Sequence, residues 1–170
     1  MLVNVFLAGV ILIAVAFDLR VRRIPNPLVV IALVFALAYH VHLSGYAGLI
    51  FCLKGFGIGI LLLLLPFIMG GIGAGDVKLL AVIGAIKGSA FVFSTFLWMA
   101  IWGGVIAVII LISRKQLKKT VSRLGKGVIL AGLGIVSFDN SLRKEEFSVY
   151  YPYGVAIALG VLTSNFKGWW

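Results

Sequence analysis

The amino-acid sequence predicts an all-α membrane protein, a polytopic transmembrane bundle of about six helices. Three observations carry the prediction. Of 170 residues, 62% are hydrophobic and only 12% charged, whereas a soluble chain averages roughly 50% and 25%. The apolar residues gather in blocks, several of them close to the ~20 residues that a helix needs to cross the hydrocarbon core. Lipid offers the backbone no hydrogen bonds, so such blocks must be helices.

The blocks follow in order. Residues 2–17 lack a basic run before them and a small-residue cleavage site, so they read as a retained helix and not a removed signal peptide. This block ends at Asp18, Leu19, Arg20, Val21, Arg22 and Arg23, and Pro25 and Pro27 punctuate the next start. Residues 27–43 form the second block, Ser44 and Gly45 a turn, and 46–69 the third block, interrupted by Lys54 and glycines. A glycine-rich loop at 70–75 leads into a short apolar helix, 77–86, closed by Lys87 and Gly88. Residues 89–112 are long and unbroken, 114–126 strongly basic, and 149–166 the last long block before Lys167, Trp169 and Trp170. Residues 128–138 are apolar but too short to span, and an interfacial or re-entrant segment is expected there. With no linker in view, one membrane domain over 1–170 is expected.

Basic residues set the orientation. Arg20, Arg22 and Arg23 follow the first block, and Arg114, Lys115, Lys118, Lys119, Arg123 and Lys126 follow the fifth. The positive-inside rule puts both loops in the cytoplasm, with the N-terminus outside and the glycine loop inside. The same rule explains the net charge of +10 better than a nucleic-acid partner does. Ten residues at 77–86 would rise only ~15 Å. Either that helix runs on, or the glycine loop is sunk into the protein, where irregular backbone is tolerated beside a wet cavity. The single cysteine, Cys52, lies in an apolar block and reads as a small buried hydrophobe.

Acids are scarce: Asp18, Asp76, Asp139, Glu145 and Glu146. The last three fall in the polar stretch before the final block and read as solvated loop charge. Asp18 and Asp76 each abut an apolar block, where a carboxylate is costly and marks a functional hypothesis. For Asp18 alone, a salt bridge to Arg20, Arg22 or Arg23 is an equal alternative. For Asp76 the alternative is a helix N-cap. Gly73 and Gly75, just before Asp76, let the backbone turn sharply and let another chain approach a carboxylate. The topology puts both aspartates on the cytoplasmic side. Two nearby carboxylates share a proton, so one can act as base on a water while the other donates to a peptide carbonyl. That chemistry requires neither metal nor cofactor. A helix N-terminus favours the charged form of Asp76, and Asp18 at a helix C-terminus is then expected to hold the proton, although its arginine neighbours oppose this. The two form one coupled titration. Lys78 reads as an interfacial lysine or as a charge partner or substrate contact. Lys54 is expected to snorkel or to face a cavity. His40 and His42 lack a third ligand and read as polar helix ends, not a metal site.

Phe17-Asp18-Leu19-Arg20 with Ile24-Pro25-Asn26 resembles the first aspartate motif of type IV prepilin peptidases. The run from Gly73 through Asp76 and Lys78 to Ala81 resembles their Gly-x-Gly-Asp motif, and Tyr151-Pro152-Tyr153-Gly154 the start of their last helix. The resemblance thus runs from the first block to the last. It implies a membrane aspartyl endopeptidase with Asp18 and Asp76 as the catalytic pair. Gly73, Gly75, Lys78, Arg20, Pro25 and Asn26 would support the substrate and the loops. The implied substrates are prepilins or pseudopilins, cut at the cytoplasmic face of the inner membrane between a basic leader and a hydrophobic helix. A large Cys-x-x-Cys segment goes with N-methylation in long family members and does not occur here, so peptidase activity without methyltransferase activity is expected. The compact form is similar to the Tad/Flp pilus enzymes and to archaeal preflagellin peptidases.

Two alternatives stay open. Presenilin and signal-peptide-peptidase proteases share the aromatic-Asp pair and Gly-x-Gly-Asp but have more spans. A small proton-coupled transporter also needs membrane acids, although no acid lies near the middle of a long block here.

Overall fold

A computed structural model describes residues 2–21, 23–113 and 153–166. The elements among them are helices: α1 (Leu2–Val21), α2 (Asn26–Ile68), α3 (Ala74–Lys87), α4 (Ser89–Ser113) and α5 (Tyr153–Phe166). The described residues up to 103, together with 153–166, belong to one compact unit, and residues 104–113 to a second. Of the second, the described part is the end of α4, where the Ser113 hydroxyl donates to the Ile109 carbonyl at 2.9 Å. Asp139, Glu145, Glu146, the basic 114–126 stretch, the 128–138 segment and Trp169–Trp170 lie outside the described residues.

The 43 residues of α2 would make a straight rod of ~65 Å, about twice a bilayer core. The rod is broken at Gly45, whose φ of 55° and ψ of −128° lie outside the helical region. The Cys52 thiol donates to the Ala36 carbonyl at 3.4 Å. In an unbroken helix those residues would stand ~24 Å apart, so the arms 26–44 and 46–68 fold back on each other. The turn closes so tightly that a Cβ on Gly48 would strike the His40 carbonyl. The expected Ser44–Gly45 turn is therefore present, and Cys52 is a buried packing residue.

The short helix α3 lies at the centre. Val77 and every residue from Leu79 to Ile86 are buried. A helix apolar on all sides must be covered on all sides, and α3 is. Against the second arm of α2, Gly55 meets Gly84 backbone to backbone, and Gly59 faces Ala81, where a Cβ would come within 2.5 Å of the Ala81 Cα. Between apolar helices in lipid, such small residues permit the close approach from which dispersion energy comes. At the far end of α3, His40 Nε2 lies 3.0 Å from the Ile86 carbonyl. A carbonyl only accepts, so that nitrogen donates and satisfies one of the helix's terminal carbonyls. Gly88 then turns the chain at a φ of 89°, with the Phe51 ring against it.

Among the described residues, α1, α2 and α4 are the three helices long and apolar enough to cross a membrane, against about six crossings expected for the whole chain. The second and third blocks join in one broken helix, and α3 is 14 residues long. Large side chains such as Leu12, Ile31, Leu61 and Ile101 stay exposed on the three long helices, as lipid-facing residues do. Phe6 stacks on Phe35 at 3.7 Å to join α1 to α2. The buried hydroxyls of Ser94 and Ser164 pair at 3.1 Å to join α4 to α5. The ends of α1, α3 and α5 touch one another, and the two buried acids lie in these helices.

Candidate active site

The buried face of α1 carries Leu7, Val10, Ile11, Ala14 and Asp18. Its seam of positions 7, 11, 14 and 18 has the helical spacing of a core stripe, so the position that should hold the next apolar residue holds a carboxyl group. Asp18 is only 8% exposed. Its Oδ2 accepts a hydrogen bond of 3.0 Å from the backbone N–H of Gly154, in the first turn of α5 and 136 residues along the chain. A Cβ at position 154 would stand 2.7 Å from that oxygen.

Asp76 is buried to the same extent. It does not cap its helix. The N-cap is Gly73, extended at φ −76° and ψ 150°, which makes Asp76 the third helical residue. The Gly73 carbonyl accepts the Asp76 N–H at 3.2 Å, and the Asp76 carboxyl in turn takes a hydrogen bond from the Gly73 backbone. An acid at this position reaches back to the cap as the third residue of a capping box does.

Asp76 lies outside the three helices long enough to cross. Burial, followed by the Asp18 charge, pushes its carboxyl up to about 7, against the Gly73 hydrogen bond that pulls it down. That upward push runs against the charged Asp76 expected at a helix N-terminus. The helix N-terminus does favour a negative charge, but removal from water and a neighbouring carboxylate outweigh it.

Most of the remaining candidates sit at or near helix ends. Gly75 packs on Ile24, where a Cβ would come 3.2 Å from the Ile24 Cβ, and a Cβ on Gly73 would come equally close to Asp76 Oδ2. Lys78 donates to Asn26 Oδ1 at 3.0 Å, tying the N-terminal part of α3 to the start of α2 on an exposed surface. Pro25, extended at φ −64° and ψ 131°, is the N-cap of α2. Arg20 stands two residues beyond Asp18, ~200° around the helix, and is exposed. Lys54 is exposed too, as is His42, whereas His40 caps α3 as described.

Two residues of the site escaped sequence reasoning. Gly154 entered only as part of a last-helix pattern, since the group it contributes is a backbone N–H that every residue but proline carries. Tyr153, the first residue of α5, lies half-buried within electrostatic reach of Asp76. The signal for both is the short Tyr-Gly step at a helix start, opposite two acids. Tyr151 and Pro152 lie outside the described residues.

A model of the type IV leader peptidase family matches residues 5–108, a stretch that includes both aspartates, the Gly73–Asp76 turn and the Lys78–Asn26 contact but stops before α5. Comparison with curated proteins and with solved structures gives no match.

Proposed function

The chain belongs to the type IV leader peptidase family, and from that premise we propose that it is an aspartyl endopeptidase that removes the leader of prepilin-like proteins. One observation carries the proposal: two buried carboxyls on different helices, one of them pushed up to about 7 partly by the charge of the other. Such a pair supplies a base and an acid at the same neutral pH.

In this mechanism the Asp18 carboxylate takes a proton from water as the water oxygen attacks the scissile carbonyl carbon. Asp76 gives its proton to the carbonyl oxygen, and a gem-diol forms. As the C–N bond breaks, the departing amine takes the proton from Asp18, and Asp76 recovers one from a diol hydroxyl. Each acid ends as it began, and no metal or cofactor enters.

The substrate reading rests on the family and on the motif resemblance. A basic leader followed by a hydrophobic helix would lie along the bundle, with the cut at the cytoplasmic face of the inner membrane, where the positive-inside rule puts the Arg20–Arg23 turn. Peptidase activity without N-methylation belongs to the same reading.

The test is co-expression with a prepilin that carries a basic leader ending in glycine, beside Asp18→Asn and Asp76→Asn. Shortened product from the wild type alone is the expected result. Product from either variant would remove that aspartate from the mechanism.

A further inference from the structure

A carboxylate on the last turn of α1 is poorly served by its own helix. The dipole there is negative, and the N–H groups of the last turn are already engaged. One partner of Asp18 comes from the start of α5, where the first four N–H groups have no partner inside the helix. The N–H of Gly154 fills both needs, at 3.0 Å from Asp18 Oδ2 in a buried contact. Residue type matters here because of space. A Cβ on residue 154 would lie 2.7 Å from Oδ2 and 3.1 Å from both Cβ and Cγ of Asp18. Asp18 is fixed to α1, and the oxygen could yield only by leaving the bond.

Resting on the aspartyl peptidase reading above, we propose that Gly154 is a positioning residue of the reaction, its bare backbone holding the Asp18 carboxylate in place and making the head of α5 the third part of the site. Tyr153, the neighbour, lies within reach of Asp76. The first turn of α5 thus contacts Asp18 and carries a tyrosine that feels the charge of Asp76.

Gly160 supplies the control. It lies on the same helix and is as crowded, since a Cβ there would come 2.7 Å from the Thr95 carbonyl and 3.0 Å from the Met99 nitrogen, but these nearest neighbours are backbone atoms and not the Asp18 carboxyl. The experiment uses the full chain in detergent or lipid with a prepilin substrate. It compares kcat, KM and Tm for the wild type, Gly154→Ala, Gly160→Ala and Asp18→Asn. Gly154→Ala should lose kcat on the order of 100-fold, the effect of a carboxylate displaced by about 1 Å, with KM little changed. Gly160→Ala should lose Tm but keep most of its kcat. Equal loss of kcat in both glycine variants, or full kcat in Gly154→Ala, would overturn the inference while leaving the aspartyl reading intact. Cleavage by Asp18→Asn would instead overturn that reading, and the inference with it.

A stability cycle tests the contact without activity. If the methyl group that Gly154→Ala adds collides with the Asp18 carboxyl, Asp18→Ala should recover much of the Tm that Gly154→Ala loses, and none of what Gly160→Ala loses. Absence of that coupling would count against the contact even if Gly154→Ala folds poorly.

Discussion

Asp18 and Asp76 are equally buried, but they are held in opposite ways. Asp76 is served by its own neighbourhood, with its cap three residues earlier at Gly73 and Gly75 leaving room for Ile24. Asp18 is served from across the fold, by a backbone group 136 residues away. The first is a local motif that folds wherever a helix starts with those residues. The second exists only once α1 and α5 are packed. The Asp18 half of the pair therefore depends on tertiary packing and is sensitive to anything that moves the last helix.

The largest expected effect ignores this difference and tests what the two acids share. Asp18→Asn and Asp76→Asn should each lower kcat by about 100- to 10,000-fold, the usual worth of an acid or a base. Asn keeps the shape of the group, so each variant should still reach the membrane folded. Single-turnover cleavage of a prepilin checks this. Loss in one variant and near-normal rates in the other would break the pairing.

The next effect separates the two acids. With Asp76 pushed up to about 7, mostly by burial, its proton is present below about pH 7 and lost above. Cleavage should accordingly decline as the pH rises through about 7, and a pH–rate profile reads this directly. Stability follows the same group. Folding raises the Asp76 carboxyl above its ordinary value of 3.8, so the native state binds a proton that the unfolded chain has released. Stability should fall as the pH climbs from about 4 to about 7. Asp76→Asn cannot release that proton, so its Tm should exceed that of the wild type at pH 8 and approach it at pH 4. Equal Tm differences at both pH values would mean that burial of this charge costs the fold nothing.

The contrast between the two acids also explains what was readable in the sequence. The apolar blocks, the break at Gly45 and the short helix beginning near Asp76 follow from hydrophobic length and glycine chemistry, which are local. That α3 is the central helix is implied by its all-round apolarity, although only the packing of Gly55 on Gly84 and Gly59 on Ala81 shows which arm it meets. The Gly73–Asp76 turn was legible because its partners are adjacent. The Gly154–Asp18 bond was not, because a main-chain donor has no signature in residue type. The upward push on the Asp76 carboxyl was not legible for a related reason. A helix terminus can be read from sequence, whereas burial and the closeness of a second charge are properties of the assembled fold.

Gly73 and Gly75 refine the comparison at smaller scale. A Cβ at either would come 3.2 Å from its nearest neighbour, Asp76 Oδ2 in one case and the Ile24 Cβ in the other. That is tight, but relief needs a shift of only a few tenths of an ångström. Gly75→Ala meets an aliphatic side chain that can yield and should lower Tm slightly while cleavage persists. Gly73→Ala meets the carboxyl proposed as the proton donor and, on that proposal, should lower kcat more than Tm. Kinetics and melting on the two variants side by side decide this, and the reverse ranking would mean that the Ile24 contact sets the geometry of the turn.

The smallest effect is expected where the contact is exposed. Lys78 reaches Asn26 at 3.0 Å on a solvent-facing surface, where water competes for both groups and a hydrogen bond is worth at most about 1 kcal/mol. Lys78→Ala should barely move Tm. Any larger loss would have to come from substrate, and it would appear in KM, because a positive charge beside the α3 entrance acts on what approaches and not on how the acids are held. A Lys78→Ala variant with unchanged KM and sharply reduced kcat would show instead that the tie between α2 and α3 helps to set the Asp76 turn, and the local half of the site would then be less self-sufficient than its neighbours make it.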